Sequence, residues 1–142
     1  MIGAMADLAE RLAGVQLFKR LTDRDRKRLA GRMKERSWDE GEVVIEEGRG
    51  AAGFWVVESG SATVSVKGEV VRGLGPGDHF GEIALLDDGP RSATVTAATD
   101  LRCNGIVAWE FGPFVKEHPE VAWAMLQSLA AMVRAAGVRP EL

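Results

Sequence analysis

The residues best placed to do chemistry lie in one stretch, Phe80-Gly81-Glu82-Ile83-Ala84-Leu85-Leu86-Asp87-Asp88-Gly89-Pro90-Arg91-Ser92-Ala93-Thr94-Val95. Phe80 ends an apolar segment, Gly81 lets the backbone turn closely, and the run from Glu82 to about Leu86 predicts a helix of one or two turns. A helix start presents N–H groups without intrahelical acceptors and a partial positive charge, which suits an anion. The small residues Gly81, Ala84 and Ala93 leave room for that anion to reach the backbone. Beyond the loop from Asp87 to Pro90, Arg91 supplies a forked, permanently charged donor that matches one phosphate of single negative charge. Glu82 would repel such an anion, so it needs a different target. A hydroxyl beside the phosphate, such as a ribose 2′-OH, can donate to a carboxylate. A phosphate and a free 2′-hydroxyl on one sugar point to a cyclic nucleotide. Outside this pattern, Arg91 and Glu82 would be read as a surface ion pair worth about 0–1 kcal/mol.

The other reactive residue types offer less. The chain has two histidines, His79 and His118, and one cysteine, Cys103, which excludes an internal disulfide and leaves too few soft ligands for a metal cluster. His79 reads as a strand-end residue, since no nucleophile or second base is near it in sequence. Cys103 reads as a small buried apolar residue. Asp87 and Asp88 read as a solvated loop. No catalytic residue and no metal ligand is assigned. Gly77-Asp78-His79 superficially suits a cupin-like metal enzyme, but such a site needs several histidines and a carboxylate converging.

The elements that must position Glu82 and Arg91 follow from length and glycine placement. At 142 residues, 46% hydrophobic and carrying a net charge of −3, the chain suits one domain with one core. Of its 17 glycines, eleven from Gly41 to Gly89 separate short apolar segments, as turns separate short strands. The segments are the polar run ending at Trp38, Val43–Ile45, Phe54–Val57, Ala62–Val66, Val70–Leu74, the residues up to Phe80, Ala93–Ala97 and Leu101–Val107. Ala62, Val64 and Val66 alternate with Thr63 and Ser65 in the period of a half-buried strand. Lys67-Gly68 predicts a hairpin turn, and Gly75-Pro76-Gly77-Asp78 a further turn. About eight short strands with no long helical period among them predict a mainly β fold, an antiparallel β-roll or jelly roll. Helical spacing flanks it: residues 6–13, a helix capped by Thr22 and running through Leu29 and Met33, a short helix over Trp109–Lys116 in which Pro113 is tolerable only in the first turn, and a helix from Pro119 to about Ala136. The expected organisation is a single domain over residues 1–142, with N-terminal helices over about 6–34, the β-roll over about 35–107 and C-terminal helices over about 108–137.

Phe80 to Val95 resembles the phosphate-binding cassette of the cyclic nucleotide-binding domain family, found in the catabolite activator protein, protein kinase A regulatory subunits and cyclic-nucleotide-gated channels. The resemblance runs from about Leu17-Phe18 through the glycine-marked strands to the C-terminal helix. It implies an eight-stranded β-roll with a C-terminal lid helix. It also implies a site in which Glu82 holds the ribose hydroxyl, Arg91 the exocyclic phosphate oxygens, and the N–H groups of Ala84 and Ser92 the remaining phosphate oxygens. Gly81, Ile83 and Ala93 complete the cassette, Val64 and Leu74 line the base pocket, and Arg72 lies nearby. The ligand implied is cyclic AMP or cyclic GMP, with no cofactor. Ser92, where some family members carry a threonine that favours guanine, points to cyclic AMP.

The C-terminal helix is unusual, because from Val121 to Ala136 only Gln127, Ser128 and Arg134 are polar. One face can cover the barrel and the rest needs a partner. The expectation is a homodimer through Trp123, Leu126, Ala130 and Val133, with a downstream effector reading the helix. Lys19 to Arg36 holds nine basic residues against three acids, a local charge of +6 that reads as one solvated helix face. With Leu142 closely following the last helix, no DNA-reading helix-turn-helix is expected. The first residues carry acids and an arginine and no long apolar run, so no membrane span is expected and a cytoplasmic location is the default expectation. The leading reading is thus a cyclic nucleotide sensor that binds without catalysis, and the alternative is a degenerate β-roll acting as a protein-interaction module.

Overall fold

The computed structural model describes residues 2–48, 53–87 and 90–137, with side chains from residue 7 onward. Eight strands form: β1 (Lys34–Trp38), β2 (Val43–Ile45), β3 (Gly53–Ser59), β4 (Ala62–Val66), β5 (Glu69–Leu74), β6 (His79–Phe80), β7 (Thr94–Ala97) and β8 (Leu101–Val107). They pair antiparallel in two four-stranded sheets, β1-β8-β3-β6 and β2-β7-β4-β5. Both sheets contribute to one core, with Trp55 and Val57 of β3, Leu74 of β5, Phe80 of β6, Val95 of β7 and Cys103 of β8 all buried. This is the expected eight-stranded β-roll with helices before and after it in sequence. Asp88, Gly89 and the turn position Gly50 lie outside the described residues.

Turn chemistry accounts for much of the register. Lys67 and Gly68 form the two-residue loop between Val66 and Glu69, with φ of 52° and 81°. Positive φ at both central positions is the twist-matched hairpin geometry, for which glycine is suited and lysine an exception. Gly105 matters for packing: a Cβ there would stand 1.9 Å from the Trp55 ring, so the indole lies directly on the β8 backbone. Trp38 meets the same indole edge-on at 5.4 Å, and the Arg36 guanidinium lies over both rings.

The chain divides into two compact units, the β-unit from Met33 to Phe111 and a helical unit made by the residues up to Arg32 and from Gly112 onward. The helical unit holds α1 (Ile2–Ala13), a 3₁₀ turn at Gln16–Phe18, and α2 (Asp23–Arg32). The Thr22 hydroxyl accepts the Asp25 N–H at 3.1 Å, the N-cap expected at that position. Leu8, Leu12, Val15, Phe18 and Leu29 are buried. The next helix, α3, runs Ala108–Glu117, so Pro113 sits in its interior and not in its first turn. A proline there leaves the Trp109 carbonyl without its helical donor, and the burial of Phe111 and Phe114 on either side holds the helix despite that loss. Pro119 opens α4 (Pro119–Ala135) at its first position, as expected.

Within the helical unit, Arg28 of α2 binds the junction where α3 gives way to α4. Its Nη1 lies 3.2 Å from Asp25 Oδ1, 3.4 Å from His118 Nδ1 and 3.6 Å from Glu120 Oε1. Asp25, His118 and Glu120 have metal-ligand spacing, but the guanidinium already supplies their positive charge. Arg32 adds a 2.7 Å ion pair to Glu117.

Candidate functional site

The site forms where β6 ends. His79 and Phe80 pair with Val56 and Trp55 of β3. Gly81 then takes φ +89°, and a Cβ at that position would stand 2.1 Å from the Gly53 carbonyl oxygen. Both the backbone conformation and the close approach therefore require glycine. The same carbonyl accepts a hydrogen bond from Arg91 Nη2 at 3.3 Å. One backbone oxygen at the start of β3 thus meets both ends of the cassette. The Arg91 carbonyl in turn accepts the Gly48 N–H at 2.9 Å.

After Gly81 the chain makes a single 3₁₀ turn, Ile83–Leu85, shorter than the expected helix to Leu86. Its first internal bond is from the Leu85 N–H to the Glu82 carbonyl, so the N–H groups of Ile83 and Ala84 precede the internal ladder. A turn this short has little macrodipole, and any anion it holds is bound by individual N–H groups.

All ten residues expected at the site, Val64, Arg72, Leu74, Gly81, Glu82, Ile83, Ala84, Arg91, Ser92 and Ala93, line one cavity of about 510 Å³. That volume lies within the range of small-molecule sites, about 300–1,000 Å³. Ile45, Val64, Leu74 and Val95 give it an apolar wall. Val64 and Arg72 are register partners across β4 and β5, and Ser65 pairs with Val70, which leaves Val71 as the extra residue of a β-bulge. Val71 lines the cavity while 60% exposed.

The charges at the site oppose one another. Burial pushes the Glu82 carboxyl up, but its hydrogen bond with His79, its own backbone N–H and the charges of His79 and Arg72 outweigh that, leaving its pKa below the ordinary 4.5. Glu82 is therefore ionised at neutral pH. The Arg91 guanidinium is partly desolvated, and its pKa lies below the ordinary value for that reason.

Sequence reasoning missed several wall residues, among them Ile45, Val71, Phe80, Pro90 and Val95. Their apolar character alone does not separate cavity from core. Asp87, read as a solvated loop residue, also lines the cavity. His79 is the strand-end residue that the sequence predicts, in β6, and its Nδ1 also lies 3.3 Å from Glu82 Oε2. The three-residue spacing across a glycine turn was the available signal. Asp78 accepts the Gly75 N–H at 2.9 Å through its own carboxylate, stabilising the turn before β6. Among the described residues, His79 belongs to no group with metal-ligand spacing, which is what a cupin-like site would require.

On α4, Val121, Met125 and Ser128 are buried, while Trp123 is 64%, Leu126 56% and Val133 42% exposed. Among the described residues no helix is long and apolar enough to cross a membrane.

Comparison with known proteins agrees with this geometry. The family model for the cyclic nucleotide-binding domain matches residues 35–118. A cAMP-dependent protein kinase regulatory subunit of Eremothecium gossypii is 45% identical over 92 residues, which cover 64% of this chain and 20% of that protein. A cGMP-dependent protein kinase of Eimeria tenella is 38% identical over 95 residues, covering 67% of this chain and 10% of the kinase. The chain thus spans a quarter or less of the curated relatives it matches. Among solved structures, the N-terminal domain of a transcriptional regulator from Streptomyces coelicolor A3(2) superposes with a TM-score of 0.82 at 27% identity, over 93% of this chain and 98% of that one. Beta-roll, cassette and family match converge on one conclusion: the chain belongs to the cyclic nucleotide-binding domain family.

Proposed function

We propose that this domain is a cyclic nucleotide sensor that prefers cyclic AMP and acts by binding, without turning its ligand over. The observation that carries the reading is the convergence of all ten expected residues on one cavity. Arg91 takes the exocyclic phosphate oxygens, and the N–H groups of Ala84 and Ser92 take the others. Glu82 accepts the ribose 2′-hydroxyl, for which its ionised state is the required one. Val64 and Leu74 flank the base, with Arg72 beside it, while Gly81, Ile83 and Ala93 shape the phosphate cradle. Ser92 in place of threonine supports cyclic AMP over cyclic GMP.

Occupancy is read out through α4. A ligand moves that helix only by binding one of its positions more tightly than another. The exposed Trp123, Leu126, Ala130 and Val133 follow three- and four-residue spacing along one stripe, the pattern of a helix-pair seam, and support a homodimer there or docking of a downstream effector. We place the domain in the cytoplasm, where the buried thiol of Cys103 stays reduced.

The test is calorimetric titration with cyclic AMP and cyclic GMP, paired with light scattering of the free and bound protein. Saturable binding of cyclic AMP tighter than cyclic GMP, with a dimeric mass, is expected. Absence of binding to either nucleotide would overturn the sensor reading in favour of an interaction module, and a monomeric mass in both states would remove the dimer.

A further inference from the structure

The carboxylate assigned to the ribose has a neighbour that the cassette does not account for. His79 Nδ1 and Glu82 Oε2 lie 3.3 Å apart, their side chains are 30% and 24% exposed, and both line the cavity. The backbone brings them together. His79 is held in β6 by pairing with Val56, and the positive φ of Gly81 turns the chain so that Glu82 comes back beside it. The imidazole also packs against Phe54, with ring centroids 6.0 Å apart, which limits its rotation.

Other charges surround the pair. Arg72 on β5 attracts the Glu82 carboxylate across the cavity. Arg91 and Asp87 line the same cavity, and Asp78, next in sequence, is engaged with the Gly75 N–H. A carboxylate drawn fully onto an arginine would leave its place at the sugar. An imidazole donor fixed to the β6 backbone gives it a competing partner of defined direction. An ionised carboxylate only accepts, so the proton of this hydrogen bond sits on Nδ1.

We infer that His79 is a positioning residue for sugar recognition: its Nδ1–H donates to Glu82 Oε2 and holds the carboxylate where its remaining lone pairs meet a ribose 2′-hydroxyl. The inference rests on the cyclic nucleotide reading and adds to it the residue that orients the ribose contact.

The experiment compares the unmodified chain with His79→Ala and His79→Asn, titrating each with cyclic AMP and with its 2′-deoxy analogue, which lacks only the hydroxyl in question. His79→Ala is expected to weaken cyclic AMP binding about tenfold and to leave the 2′-deoxy analogue within about twofold. His79→Asn, whose amide nitrogen stands near the position of Nδ1, is expected to recover most of the loss. Because both ligands meet the same variant, a generally weakened fold would lower both affinities together. Equal loss for the two ligands, no loss for either, or an asparagine variant no better than alanine would each overturn the positioning role. An unmodified chain that binds neither ligand would overturn the sensor reading itself, and this inference with it.

Discussion

Replacing Arg91 separates a ligand contact from a structural strut. Arg91 Nη2 donates to the Gly53 carbonyl over a long 3.3 Å, and burial lowers the guanidinium pKa, so the desolvation cost of the charge offsets part of what its contacts in the folded chain contribute. Arg91→Ala should therefore change the free energy of unfolding by about 1–2 kcal/mol, less than it changes ligand binding. Ligand binding should respond quite differently. Two charge-assisted hydrogen bonds from one fork to one phosphate, at about 1.5 kcal/mol each, correspond to roughly 150-fold in Kd. Arg91→Lys keeps the charge but loses the fork and should fall between, at about tenfold. Calorimetric titration with cyclic AMP and urea unfolding in the same buffer measure the two quantities. Alanine binding within about threefold of the unmodified chain would refute the phosphate role. A loss of several kcal/mol in unfolding would show that Arg91 chiefly supports the cassette backbone.

Three further outcomes follow from the geometry. Gly81→Ala forces a Cβ to within 2.1 Å of the Gly53 carbonyl at a φ of +89°, and should cost about 2 kcal/mol or more of stability along with ligand affinity. Gly73→Ala, with nothing within 4 Å of the added atom, should cost under about 1 kcal/mol in the same urea titrations. The Glu82 carboxyl has a folded pKa below its ordinary 4.5, so its stabilising contribution is complete above that value and is lost as pH falls through the depressed one. Urea melts of the unmodified chain and Glu82→Gln, from about pH 6 to about pH 3, should converge at the acid end, and a constant gap would contradict the shift. Burial, with a smaller push from the charge of Glu58, raises the Cys103 thiol to about 12. A disulfide reagent at about pH 8 should thus label the chain only after unfolding, and rapid labelling of the folded protein would contradict this.

How much of this was legible in the sequence differs from element to element. The strands were readable where β-branched residues alternate with polar ones, as in Ala62–Val66, and where glycine marks a turn, as at Gly60, Gly68 and Gly77, all of which have positive φ. Thr22 and Pro119 marked their helix starts because each satisfies or removes a particular backbone donor. The cassette was readable because glycine, carboxylate and arginine stand close together in the chain. Features set by tertiary contact were not. The bulge at Val71 lies in Val70-Val71, two exposed valines whose identity gives no alternation to follow. The turn after Glu82 stops at Leu85 although its residues favour helix. Pro113 was placed by local rule in a first turn, whereas the burial of Phe111 and Phe114 carries the helix through it. Ser128, one of the polar positions of α4, is on its buried side, where its hydroxyl finds no hydrogen-bond partner among the described residues. His79 was judged by the absence of a nucleophile nearby, and its relation to Glu82 emerges only when the φ of Gly81 is known.

The contacts of Arg28 bear on how the helical unit can yield. One guanidinium serves an acid on its own helix, the residue preceding α4 and an acid in the first turn of α4. Asp25 is 4% exposed, so withdrawing Arg28 would leave a carboxylate both buried and unpaired. Because Arg28 and Asp25 share α2, a displacement of α4 leaves that buried carboxylate paired and gives up only the longer contacts to His118 and Glu120. The buried charge is thus neutralised within α2 itself, and the start of α4 can part from it without stranding a carboxylate.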